Sequence, residues 1–197
     1  MPKVSDEYRE SQRARIADSA LSVFARKGFQ KTSMADIIAD SGMSAGAIYA
    51  YFPGKADIIA EVAGRVLGTR IASIESLAGR ETLPAPSDLI RTILAGLRDE
   101  LGNPSIVLQV WGEAVNDPQL RPLANGAFGR LLNAFRLYLA AWQQAAHRLQ
   151  PAAADALARE QAPLLLSACQ GYLVQLALLD DFDSDFYLDR VVANLPH

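Results

Sequence analysis

Thr32, Ser33, Ser44, Tyr49, Tyr51 and Lys55 gather hydroxyls, phenols and an ammonium within one short stretch of the chain. Groups of this kind bond to phosphate oxygens and so position a protein on a nucleic-acid backbone. A catalytic alternative finds no support, because no nucleophile, base and orienting group fall together. His147 and His197 are far apart and Cys169, the only cysteine, has no ligand-spaced partner. Zinc geometry is therefore unsupported, and no phosphate-binding glycine loop exists. The expectation is a protein that is not an enzyme, with no metal and no cofactor.

The elements that must carry those groups read as a helix, a tight turn and a second short helix over Thr32–Lys55. Gly42 can take the left-handed backbone that ends one helix, Met43 is the apolar residue of the turn, and Ser44 is placed to cap the next helix. This layout is a helix-turn-helix, whose second helix enters the major groove of DNA. An earlier helix is expected from about Ser11 to Lys27, with Ile16, Ala20, Leu21 and Phe24 on one face. Gly28 stops it and Phe29 follows as the hydrophobic residue common after such a stop. Thr32 or Ser33 caps the second helix, Asp36 completing a box with Ser33, and Ile37 and Ile38 point inward. The third helix spans Ala45 to about Tyr51, with Ile48 and Phe52 inward, and Pro53-Gly54 breaks it.

Charge is divided unevenly along the 197 residues, whose net charge is −3. Residues 1–55 hold 8 basic and 6 acidic side chains, a balance of +2, against 11 and 16 in the remainder, a balance of −5. Every lysine lies at or before Lys55. Asymmetry of this sort hints at a nucleic-acid face on one part only, although a solvated helix surface gives the same signal. The charged start, Met1–Arg15, does not resemble a signal peptide, and the richest apolar stretch, Leu164–Leu179, is broken by Ser167, Gln170 and Gln175. A membrane span is not expected, and a single cysteine fits a cytoplasmic protein.

After Lys55 the pattern stays helical. Ile58, Ile59, Val62 and Val66 stripe a long fourth helix reaching toward Leu77, and a loop follows at Pro84-Ala-Pro86. Later starts are marked at Ser87-Asp88, Asn103-Pro104, Asp117-Pro118, Gln150-Pro151 and Asp183-Ser184-Asp185. The fold class is all-α, with about nine helices. The eighth, about Ala152 to Leu179, is apolar on nearly all faces through Leu164, Leu165, Leu166, Ala168, Cys169, Tyr172, Leu173, Leu176 and Leu178. Such a helix is buried on two sides, inside its own domain or against a partner chain. Gly171 permits close helix approach or is merely tolerated, and the Gly64/Gly68 pair has little force outside a membrane.

The composite of Ile16, Ala20, Phe24, Gly28-Phe29, Thr32, Asp36-Ile37, Gly42-Met43-Ser44, Gly46, Ile48-Tyr49, Tyr51-Phe52 and Lys55 resembles the DNA-binding domain of the TetR family of transcriptional regulators. The resemblance implies a three-helix DNA-binding domain over residues 1–55, continuing into the start of helix four, and a helical ligand-binding and dimerisation domain over 56–197. Thr32, Ser33, Tyr49 and Lys55 would bind phosphates, helped by helix N-termini. Base reading would fall to Met34, Ala35, Ser44, Ala45, Gly46, Ala47 and Tyr51. Members of the family often carry lysine where this chain has Ala45, so no strong fork to guanine is available. Arg9, Arg13 and Arg15 either enter a minor groove or solubilise the terminus.

The same resemblance implies a homodimer through the last two helices and a pocket for a small hydrophobic or aromatic effector. Trp111, Phe128, Leu132, Phe135, Tyr138 and Trp142 are its candidates, with Asn133 and Gln170 as further polar ones; their helical spacing equally fits a plain core. Gln109, Glu113 and Asn116 share one face of helix six and are expected to meet water; an inward Glu113 would favour a cationic ligand. The functional expectation is a ligand-released repressor on a palindromic operator of double-stranded DNA. The competing class is a helical carrier or enzyme with no DNA role.

Overall fold

The computed structural model describes residues 5–78, 82–100 and 104–195. Among them are nine helices and no strand: α1 (Asp6–Lys27), α2 (Met34–Ser41), α3 (Ala45–Tyr51), α4 (Lys55–Ala78), α5 (Pro86–Glu100), α6 (Ser105–Asn116), α7 (Leu120–His147), α8 (Pro151–Leu178) and α9 (Ser184–Val192). The chain divides into two units, Met1–Val66 with Gln109–Leu123, and Leu67–Leu108 with Ala124–His197. Residues 109–123 thus pack with the N-terminal helices, a grouping that no local pattern announces.

In the first unit α1 begins earlier than its apolar period suggests. Ser5 caps it, accepting from the Tyr8 N–H at 3.2 Å, and Asp6 and Glu7 complement the positive end of the helix. Ile16, Ala17, Ala20, Val23 and Phe24 are buried, whereas Leu21 is 38% exposed. The reason is angular: Leu21 lies about 100° beyond Ala20 and falls off the buried arc, while Val23 returns to it. Ile37, Ile48, Phe52, Ile58 and Ile59 complete this core, and Ile38 is only half-buried. Val62 is half-buried as well; the side chain of Val66 lies outside the described residues.

The second unit is built from apolar stripes. α5 packs against α8 and α9, burying Leu89, Ile90, Ile93 and Leu94. α8 begins with Pro151 at its first turn, and Asp183 caps α9 by accepting from the Phe186 N–H at 2.9 Å. The Asn103 start signal and His197 lie outside the described residues. Within the chain α8 is buried on one face only, through Ala154, Ala158, Ala162, Leu165, Cys169 and Tyr172. Leu164 and Leu178, on another face, are 61% and 67% exposed. Gly171 has a definite use: a β-carbon there would stand 2.9 Å from the Tyr187 hydroxyl, which donates to the Ala168 carbonyl at 2.8 Å. Burial pushes the Cys169 thiol up to about 12. No helix among the described residues is long and apolar enough to cross a membrane.

Candidate nucleic-acid interface

The helix-turn-helix is held by reciprocal caps. Ser33, extended at φ −102°, accepts from the Asp36 N–H at 3.2 Å, and the Asp36 carboxylate accepts from the Ser33 N–H at 2.9 Å and its hydroxyl at 2.7 Å. Lys27 adds an ion pair at 2.5 Å. These donors, Lys27 foremost and then Ser33, hold the Asp36 carboxyl well below the usual carboxylate range. At the other end of α2, Gly42 takes the left-handed conformation at φ 65°. The Ser41 carbonyl accepts from Arg15 at 2.8 Å, and the Ser41 hydroxyl accepts from the Met43 N–H at 3.2 Å. Ser44 then caps α3, accepting from the Ala47 N–H at 3.3 Å. Of the two capping candidates for α2, Ser33 is the one used.

The outward side of this unit is smooth. Ser33, Ala35, Ser44, Ala45 and Gly46 are exposed, Met34, Ala47 and Tyr51 are half-buried, and Tyr49 is 49% exposed. A β-carbon on Gly46 would meet nothing within 4 Å. Two residues expected to serve phosphates turn inward instead. Thr32 is 3% exposed and its hydroxyl donates to the Gly28 carbonyl at 2.8 Å. The Lys55 ammonium donates to the Phe29 and Thr32 carbonyls at 3.1 and 3.0 Å and sits 4.2 Å from the Phe29 ring centre. The α1–α2 turn leaves buried carbonyls without helical partners, and these two side chains supply donors.

Of the three arginines read as either groove-entering or solubilising, Arg13 and Arg15 are similarly committed. Arg13 pairs with Glu61, donates to the Tyr51 carbonyl at 3.3 Å and lies 4.5 Å from the Phe52 ring centre. Arg15 caps α2, Arg26 pairs with Asp40 and Arg65 with Asp18. Among the described residues from 5 to 66, Arg9 and Lys31 are the cations that hold no such partner. Lys31 was not singled out by the sequence, although its place just before the α2 cap was a usable signal. Helix α6 also departs from expectation. Gln109 accepts from the Phe29 N–H at 2.6 Å, and Glu113 accepts from the Gln30 amide at 3.0 Å. Only Asn116 of that trio is exposed. Gln109 and Glu113 line an open cavity of about 490 Å³ with Lys27, Gly28, Gln30 and Lys31.

Residues 16–62 match the family described as bacterial regulatory proteins, tetR family. Over these residues the chain carries a TetR-type N-terminal domain. It is 31% identical over 99 residues to the HTH-type transcriptional regulator YfiR of Bacillus subtilis, covering 50% of this chain and 48% of that one. The chain therefore spans about half the length of this curated relative. Among solved structures, Salmonella enterica GusR superposes with a TM-score of 0.72 at 22% identity, over 93% of this chain and 94% of that one. The transcriptional regulator FadR from Bacillus subtilis, in complex with stearoyl-CoA, gives 0.70 at 17% identity, over 92% and 98%. These likenesses show the all-α fold along the chain.

The six effector candidates do not all fall in one unit. Phe128, Leu132, Phe135, Tyr138 and Trp142 follow one face of α7 in the second unit, while half-buried Trp111 belongs to the first. Phe135, Tyr138 and Trp142 are buried; Phe128 and Leu132 are half-buried. The Tyr138 hydroxyl donates to the Pro84 carbonyl, and burial raises its pKa above the usual phenol value. Trp142 stacks edge-on against His147, ring centres 4.9 Å apart. Asn133 is exposed and accepts from Arg136 at 3.1 Å.

Proposed function

We propose that this chain is a repressor that binds a palindromic operator as a homodimer and is released by a small hydrophobic or aromatic molecule. The observation that carries the reading is the doubly capped α2–α3 pair, whose outer face is bare of large side chains except Tyr49. A smooth α3 allows close approach to the major groove, where Ser44 bonds to bases and the methyls of Ala45 and Ala47 meet thymine. Met34, Ala35, Gly46 and Tyr51 would border the same bases. Ser33, Tyr49 and the unpaired Lys31 would take phosphates. Lys55 and Thr32 serve the site by fixing the turn that leads into α2.

Leu164, Val174, Leu178, Leu179 and Phe186 are exposed apolar residues of α8 and its C-terminal neighbourhood. They support dimerisation through α8 and α9, which would set two recognition helices about 34–36 Å apart. An effector in the second unit, with half-buried Phe128 and Leu132 in its wall, would act through α4, whose residues fall partly in each unit. The stearoyl-CoA held by FadR supports a small-molecule effector on this fold. Coupling of about 1–3 kcal/mol would weaken operator binding some 5–150-fold.

Selection of bound genomic fragments, followed by release assays with candidate compounds, tests the reading. Tyr49→Phe and Lys31→Ala should weaken binding to all duplexes alike, the latter flattening the salt dependence by about one phosphate's worth. Lys55→Met keeps the stem over Phe29 but strips two carbonyls of a donor. It should cost about 1–3 kcal/mol of stability and weaken binding without changing the salt slope. Duplex retention that ignores all three substitutions would sink the assignment.

A further inference from the structure

We propose that the Phe29 peptide is the joint that sets the DNA-reading unit, and that Gln109 of α6 is the positioning residue acting on it. The inference rests on the DNA-binding reading above. The chain leaves α1 at Gly28, where φ is 77°, so the helical bonding pattern ends there. Both backbone polar groups of the next residue then lack helical partners, and Phe29 is only 3% exposed. Its N–H donates to the Gln109 side-chain oxygen at 2.6 Å, and its carbonyl accepts from Lys55 at 3.1 Å. Two helices remote in sequence therefore close on one residue, whose ring is also braced edge-on by Phe24 at 5.2 Å.

The joint lies just upstream of the α2 cap and is tied to it. The Thr32 N–H donates to the Phe29 carbonyl at 3.2 Å, and Lys55 bonds the Thr32 carbonyl as well. Whatever fixes Phe29 therefore fixes the entry to Ser33, the α2 cap and a residue of the proposed interface. Glu113, one helical turn after Gln109, takes the Gln30 amide at 3.0 Å. α6 thus grips the turn at two points on one face, and any rotation of α6 would loosen both together. Gln109 touches no DNA in this scheme; it acts through the turn.

Gln109→Leu removes the acceptor at similar bulk, and Gln109→Glu restores an acceptor oxygen. The full-length protein is followed by amide exchange at Phe29 and by titration with a duplex from the fragment selection. In Gln109→Leu, the Phe29 amide should exchange at least roughly tenfold faster while Ile37 and Ile48 keep their protection. Duplex affinity should fall about tenfold, or about 1.4 kcal/mol, at an unchanged salt slope. Gln109→Glu should recover both. Wild-type protection at Phe29, or wild-type affinity, in Gln109→Leu overturns the inference. A wild-type protein that holds no duplex overturns the DNA reading instead, and this inference with it. Should Gln109→Leu fail to fold, Glu113→Ala removes the second grip and should show the same pattern more weakly; full wild-type behaviour there also overturns it.

Discussion

The two units of this protein are stabilised by different means. The N-terminal unit is organised by directional bonds: the Ser33–Asp36 box, Arg15 on the Ser41 carbonyl, Lys55 on the α1–α2 turn. Its cations mostly face its own acids and carbonyls, which leaves the outer face of α3 small and nearly uncharged. The second unit is organised by stripes of Ala, Leu and Ile, and its surplus appears as exposed Leu164 and Leu178 on α8. Directional bonds have narrow geometry and fix a surface to fractions of an ångström, as groove recognition requires. Apolar packing tolerates substitution at constant volume and suits a region proposed to accept a partner or a ligand.

The largest test of this contrast compares matched cavities. Ile48 and Leu165 are both wholly buried, and either →Ala change should cost about 2–5 kcal/mol in thermal or denaturant unfolding. Ile48→Ala should also abolish duplex retention in the cold, where the protein remains folded, because α3 is only one short element seated by that side chain. Leu165→Ala should retain the duplex under the same conditions. Equal loss of binding in both variants would erase the distinction between the units.

A smaller test addresses the cap itself. Ser33→Ala should cost about 1 kcal/mol of stability. Because the folded pKa of Asp36 is depressed, its stabilising contribution is fully present above the ordinary value of 3.8 and is lost as pH falls through the lower folded value. Without the Ser33 hydroxyl, one of the groups that lower it, the Asp36 carboxyl should titrate closer to 3.8, while Lys27 and the Ser33 backbone N–H keep it from returning fully. Carboxyl titration followed by NMR reads this directly. An unmoved Asp36 pKa would mean that Lys27 and the Ser33 backbone N–H set it and that the Ser33 hydroxyl contributes little to the order of this unit.

The same contrast explains what could be read from the chain beforehand. Caps act over three residues, so Ser33–Asp36, Gly42 and Ser44 declare their roles locally, and the span of α3 follows from them. Helix class throughout is legible from periodicity. The inward turn of Lys55 is not, because its carbonyl partners lie 26 and 23 positions earlier, and Gln109 meets Phe29 across 80 positions. A lysine beside a helix-turn-helix looks like a phosphate ligand until the turn's buried carbonyls are known to need a donor. Leu21 misled for a nearer reason: an apolar side chain at the edge of a helical arc carries no mark of which way the neighbouring helix lies. In the second unit, aromatic spacing along α7 suits core and pocket equally, so burial of Phe135, Tyr138 and Trp142 had to come from the structure.

The smallest expected effect separates stability from reading at one position. Gly46 lies in the first turn of α3, with no left-handed backbone and nothing within 4 Å of a would-be β-carbon. Gly46→Ala should therefore stabilise the protein, by about 0.4–1 kcal/mol, chiefly by restricting the unfolded chain. On the proposed interface the same methyl would stand where the helix backbone comes nearest the bases. Operator affinity should then fall a few-fold, or the preferred sequence should change, while melting temperature rises. Opposite signs in the two measurements would place Gly46 on the reading face of a unit whose rigidity comes from elsewhere. A rise in both would mean that α3 approaches DNA less closely than its smooth surface suggests, and base reading would then have to come from α2 or from Tyr49 and Tyr51.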